Sequence, residues 1–230
     1  MSKTQHRKKT RLLVVDDHPF FRAGLIQWIN QQDNLACCGE AGSLKEAREA
    51  VTRLLPDIIL LDLRLGDGDG LDLIAELTKT HPECRILALS QFDEVVYARR
   101  ALQAGARGYL MKSVATEDLQ EAVQCLMTGD KPFLSRKMEA IILGSLLPTP
   151  GKASRPGTPD LEKLSDRELQ VFQLIGAGRS SREIAAYLKI SQKTVDSHRE
   201  HLKVKLNLAD ATALVRAATL WVETDRLPGS

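Results

Sequence analysis

Asp16, Asp17 and Asp62 each stand where an apolar run stops. RLLVV precedes the first two and IILL precedes the third. An unbroken apolar run of this length reads as a strand covered on both faces. Each carboxylate therefore falls at the carboxyl end of a strand, where open α/β sheets build their ligand crevice. Three negative charges held together there require a cation, and oxygen donors favour Mg2+ over zinc. A carboxylate beside such an ion can attack phosphorus, and Asp62 is the expected phosphoacceptor. Ser90 closes CRILALS and Lys112 closes GYLMK. A hydroxyl and an ammonium at those strand ends suit two oxygens of a phosphoryl group. Each residue alone is weak evidence. A pair of aspartates after a strand often caps a helix or sits in solvent, and a lone Ser or Lys is usually surface. Their convergence at strand ends carries the reading.

The elements that would position these groups alternate. Strands are expected at 11–16, 35–41, 58–62, 84–90 and 108–112. Helical periodicity runs from Pro19, from Leu44 to Leu54, from Leu71 to Lys79, from Asp93 to Gly105 and from Thr116 to Met127. Ser43 with Glu46 reads as a capping box, and Gly105 as a helix stop. Glycines 66, 68 and 70 are expected to hold a loop after Asp62. Five strands alternating with five helices predict an α/β, doubly wound, five-stranded parallel sheet. In the flavodoxin-like strand order, strands 1 and 3 are neighbours at the switch point. That order would set Asp16 and Asp17 beside Asp62.

The chain divides by charge. Residues 12–130 carry 11 Lys/Arg against 19 Asp/Glu, a net −8, and residues 161–230 carry 11 against 9, a net +2. Residues 1–10 read as a disordered basic arm with no apolar segment behind it, so no signal peptide is expected. No apolar run is long enough to span a membrane. Four cysteines at 37, 38, 84 and 125 lack metal spacing and read as reduced core thiols of a cytoplasmic protein. A further helix is expected from Ser135 to Leu147. PTPGKASRPGTPD then reads as a linker, so 131–160 joins an acidic domain at 11–130 to a second domain at 161–230.

The second domain is helical throughout and reads as a small all-α, four-helix unit. Ser165 with Glu168 and Ser180 with Glu183 are capping boxes, and Gly176 to Gly178 ends the helix between them. The tight turn before Ser191 has helix-turn-helix spacing. In QKTVDSHREHLKVKL, Val195, His198, Leu202 and Leu206 share one face, on which His198 reads as packed rather than ligating. The other face presents Lys193, Thr194, Ser197, Arg199, His201, Lys203 and Lys205, able to reach phosphates and base edges of double-stranded DNA. A solvated helix face is the plainer alternative. Asp196 and Glu200 favour it, although a carboxylate can accept from cytosine.

VVDDHPFFRAGL, DIILLDLRLGDGDG, ILALSQFDE and AGARGYLMKS, in that order, resemble the receiver domain of two-component response regulators. LSDRELQVFQLIGAGRSSREIAAYLKISQKTVDSHREHLKVKLN resembles the LuxR-type helix-turn-helix. Together they resemble the NarL/FixJ family. The resemblance implies Asp62 as phosphoacceptor, with Mg2+ held by Asp16, Asp17, Asp62 and the backbone carbonyl of Arg64. It implies Ser90 as switch hydroxyl, Tyr109 as switch aromatic and Lys112 as phosphate partner, although Tyr109 also reads as plain core. Arg64 and Phe92 flank the site. It further implies 191–206 as the recognition helix and a dimer through Leu214, Ala218 and Trp221, residues that equally suit a bundle core.

The expected protein is a phosphorylation-dependent transcription regulator. It would take its phosphoryl group from a sensor histidine kinase and bind operator half-sites as a homodimer, with no membrane partner. It is not expected to be an enzyme, beyond shedding its own phosphoryl group. A phosphatase built on an Asp nucleophile, and an adaptor whose helical domain has lost DNA, are the competing classes. Turnover of a phosphate ester would favour the first and failure to bind any duplex the second.

Overall fold

The computed structural model describes residues 9–66, 68–91, 94–113, 115–129, 131–135, 161–188 and 190–226. Residues 136–147 of the helix expected from Ser135 to Leu147, the linker at 148–160, and Phe92 and Asp93 lie outside them. The chain forms two compact units, 1–147 and 148–230.

In the first unit, strands β1 (Thr10–Val15), β2 (Leu35–Ala41), β3 (Ile58–Asp62), β6 (Arg85–Ser90) and β7 (Gly108–Met111) form one sheet in the order β2-β1-β3-β6-β7. All its pairings are parallel. Helices α1 (Pro19–Asn30), α2 (Leu44–Leu54), α3 (Gly70–Thr80), α4 (Glu94–Ala104) and α5 (Thr116–Thr128) alternate with these strands. Every residue of β3 is buried and β1 is buried from Leu12 onward. Parallel strands covered on both faces must be apolar throughout, which is why IILL and LLVV do not alternate. β1 and β3 are adjacent, as the alternation predicted.

Several details depart from the sequence reading. The loop after Asp62 contains a two-residue antiparallel ribbon, β4 (Arg64–Leu65) with β5 (Gly68–Asp69). Gly70 begins α3 rather than sitting in the loop, and a Cβ there would lie 2.7 Å from Leu63 Cα and 2.9 Å from the Asp62 carbonyl oxygen. Glycine thus lets α3 start against the end of β3. Glu46 does not close a box on Ser43; its Oε2 accepts from Gly42 N–H at 2.7 Å, while Ser43 Oγ accepts from Glu46 N–H. Of the four free cysteines only Cys84 is buried, and burial pushes its thiol up to about 12. The other three are half-buried, and Cys37 and Cys125 pack against the edge of the core. The chain also returns after α5, where Phe133 N–H donates to the Arg107 carbonyl at 2.8 Å and the ring joins the core. The first unit's core therefore reaches beyond residue 130.

Gly105 ends α4 with φ +111, and a Cβ there would strike Thr78 on α3. Both the backbone region and the close approach require glycine. Gly105→Ala is expected to cost about 1–3 kcal/mol. A denaturant midpoint equal to that of the parent would contradict this.

In the second unit, α6 (Asp166–Gly176), α7 (Ser181–Leu188), α8 (Gln192–Lys205) and α9 (Ala211–Arg226) follow a short 3-10 turn, Leu161–Lys163. Both predicted capping boxes form. Ser165 and Glu168 bond reciprocally, as do Ser180 and Glu183. Gly176 is still helical, and a Cβ there would meet the Ala218 carbonyl and Val222 of α9. Its smallness sets the α6–α9 approach; Gly178, at φ +78, makes the turn. Phe172, Leu202, Leu214 and Ala218 are fully buried in this bundle. No described helix is long and apolar enough to cross a membrane.

Candidate functional site

Parallel pairing brings the carboxyl ends of the central strands level. Val15 registers with Leu61, Asp62 with Leu89 and Ser90 with Met111. The residues that follow these ends therefore project into one pocket. Asp16 is fully buried, Asp62 is 2% exposed and Ser90 1%. Asp16 Oδ1 accepts from His18 N–H at 2.8 Å, and Asp62 Oδ1 accepts from Arg64 N–H at 2.9 Å. Each aspartate is thus oriented by its own loop's backbone.

The Lys112 ammonium lies between the two buried carboxylates, 2.6 Å from Asp16 Oδ2 and 2.6 Å from Asp62 Oδ2. It also stands 4.7 Å from the centroid of the Phe21 ring, an attractive position for a cation. The backbone N–H of Lys112 donates to the Ser90 carbonyl at 2.7 Å, which ties the lysine to the end of β6. Burial pushes the Asp62 carboxyl up to about 6. Lys112 opposes that rise and Asp16 adds to it. Desolvated charge is costly unless it is paired, and one ammonium serves two carboxylates here.

Asp16, Asp17, His18 and Asp62 each place a ligand atom within 4.8 Å of the others. This acidic cluster fits a hard divalent cation. His18 is the most open member and Asp17 the most open of the carboxylates, so the cluster reaches solvent. His18 was not anticipated from the sequence. Its Nδ1 is 2.8 Å from Asp17 and 3.8 Å from Asp62. The only available signal was its position immediately after the Asp pair, which does not fix the direction of the ring. Tyr109 on β7 is 1% exposed, a core position. Arg64 lies in the loop beside Asp62, where its N–H is engaged.

In the second unit, α8 buries Val195 and Leu202. Lys193, Thr194, Asp196, Ser197, Glu200 and His201 are exposed, and Arg199 and Lys203 are half-exposed. The Ser191 hydroxyl caps the helix by accepting from Thr194 N–H. Two expected DNA-facing cations already have partners. Lys203 pairs with Glu200 at 2.8 Å, and Lys205 reaches back to Glu168 Oε2 at 2.7 Å. His198 is half-buried, and burial lowers its pKa.

Leu214 and Ala218 are 0% exposed inside their own bundle, which fits the bundle-core alternative for these two residues. Trp221 is half-buried and packs on Phe172 with ring centroids 6.0 Å apart. The more exposed apolar positions of α9 are Val215 and Leu220. A period of 3.6 marks an apolar stripe, but it does not say which partner covers it.

The comparisons with known proteins agree with both halves. Residues 12–124 match the response regulator receiver domain, and residues 162–218 match the bacterial regulatory proteins of the luxR family. The oxygen regulatory protein NreC of Staphylococcus carnosus is 31% identical over 90% of this chain and 96% of its own. The transcriptional regulatory protein MctR of Rhizobium johnstonii is 31% identical over 92% of this chain and 94% of its own. RcsB of Salmonella enterica serovar Typhimurium, solved bound to the promoter rprA with phosphomimetic BeF3-, shares the fold. That likeness has a TM-score of 0.61 at 23% identity over 92% of this chain and 99% of that one.

Proposed function

We propose, for a chain that belongs to the two-component response regulators with a LuxR-type DNA-binding domain, that Asp62 accepts a phosphoryl group whose charge governs DNA binding by α8. The observation that carries this reading is the convergence of Asp16, Asp62 and Lys112 at 2.6 Å, with Asp17 alongside. No function of packing calls for two buried carboxylates on one buried ammonium.

The donor would be a sensor histidine kinase. The Asp62 carboxylate oxygen attacks phosphorus, the P–N bond of the phosphohistidine breaks, and the imidazole leaves with the bond's electron pair. Asp16, Asp17, Asp62 and the Arg64 carbonyl would hold Mg2+, which when bound offsets the carboxylates' repulsion and polarises the phosphoryl oxygens. Lys112 then trades its contact with Asp62 for one with a phosphoryl oxygen. Ser90, at the end of β6, donates its hydroxyl to another, and Tyr109 on β7 follows. Loss of the group by hydrolysis would use the same pocket. The kinase would approach over α1, where Phe20 is 95% exposed and Gly24 leaves open space.

Moving a two-state equilibrium almost completely takes about 5.5 kcal/mol of differential binding. Several charge-assisted bonds acting together are of that order. The favoured state would dimerise and place two copies of α8 on half-sites of double-stranded DNA in the cytoplasm.

Magnesium should also stabilise the unphosphorylated protein. At a hundredfold excess over its dissociation constant it is expected to add about 2.7 kcal/mol, read as a rise in melting temperature of several degrees. Asp17→Asn should shrink that rise. A melting curve indifferent to magnesium would count against the cation site.

A further inference from the structure

Glu168 has two tasks in the second unit, and they use different oxygens. Its side chain is 4% exposed. Oε2 accepts from Ser165 N–H at 2.7 Å, from Ser165 Oγ at 2.9 Å and from Lys205 Nζ at 2.7 Å. Burial acts to raise this carboxyl, but these bonds outweigh it and keep the group below its ordinary value, so it is ionised. Oε1 points toward α8, 3.8 Å from His201 Nδ1. His198 lies one turn before His201. Its Nδ1 is fully buried and has no hydrogen-bond partner among the described residues. A buried imidazole nitrogen without a partner is uncommon and calls for an explanation.

Residues three apart on a helix share a face. His198, His201 and Glu168 accordingly bring two imidazole nitrogens and one carboxylate oxygen within 4.8 Å of one another. Two His and one carboxylate, with a fourth position open, is the donor set of three-ligand zinc sites. His201 is 65% exposed, which leaves the open position toward solvent. Imidazole donors select zinc-class ions, whereas the all-oxygen pocket at Asp62 suits magnesium.

We propose that Glu168, His198 and His201 form a second cation site, for zinc or a similar borderline divalent ion, that fastens the start of α6 to α8. The ion satisfies the buried His198 nitrogen and fixes the helix that carries the DNA-facing side chains. Lys205 competes with it for Glu168, so the site is tuned rather than maximal in affinity.

The test is titration of the full chain with cobalt(II), then zinc, in excess magnesium to occupy the acidic pocket. The wild-type protein is expected to show the strong visible absorption of tetrahedral cobalt, removed by stoichiometric zinc. His201→Ala changes an exposed ring and should melt like the parent, yet lose roughly tenfold or more in zinc affinity. Lys205→Met should bind zinc more tightly, since the competing ammonium is gone; a purely structural role for the three residues gives no such gain. Equal zinc affinity in wild type and His201→Ala, or no tetrahedral cobalt spectrum, would overturn the site.

Discussion

Asp62→Asn protein is expected to take up no phosphoryl group from acetyl phosphate, with labelling reduced to background. An amide oxygen is not a nucleophile toward phosphorus under these conditions, and no second carboxylate replaces it. The substitution keeps shape and keeps an oxygen for the Arg64 N–H. It also removes a carboxylate that burial pushes up to about 6. A charge disfavoured by its surroundings costs stability at neutral pH, so the variant should melt no lower than its parent in chelator. Loss of labelling then reports chemistry and not misfolding. Undiminished labelling of this variant would place the acceptor elsewhere.

The second large effect is on DNA. Affinity should fall roughly 10³-fold between 50 and 200 mM salt for a dimer making at least six phosphate contacts. The geometry refines which residues set that slope. Lys193 and Arg199 have no carboxylate partner recorded among the described residues, whereas Lys203 is paired with Glu200 and Lys205 with the buried Glu168. Lys193→Ala should therefore lower the slope by about one per subunit, about two for the dimer, and Lys205→Met should leave it nearly unchanged. Measuring half-site affinity across a salt series for both variants checks this. Equal loss of slope in the two would mean that the Lys205 pair opens on DNA, and a flat salt response would remove the phosphate contacts altogether.

What the sequence made legible followed from how strongly local chemistry constrains each element. β3 is buried on both faces, so nothing polar is admissible between Ile58 and Leu61, and the strand announces itself. Capping boxes are equally local, and Ser165 with Glu168 forms as read. Strand order followed from the alternation because few topologies bury five parallel strands. The three aspartates and Lys112 then fell together, since strand ends share one edge.

What stayed hidden depends on distant partners. His18 could turn toward solvent or toward the pocket, and only the folded loop decides. Lys205 looks like one more cation on a basic face until α6 places Glu168 within 2.7 Å. Leu214 and Ala218 carry an apolar stripe that would suit a dimer or a core, and the close α6–α9 approach at Gly176 assigns them to the core. Gly176 itself read as a helix stop because a glycine's absent side chain has no direction. In each case composition fixed what the residue can do, and tertiary contact fixed which of those things it does.

The most direct measurement is half-site DNA affinity before and after acetyl phosphate with magnesium, for the wild-type chain and for Asp62→Asn. Binding should tighten in the wild type and stay constant in the variant. Identical affinities in the wild type with and without the phosphoryl donor, at confirmed full labelling, would contradict the coupling of Asp62 to α8.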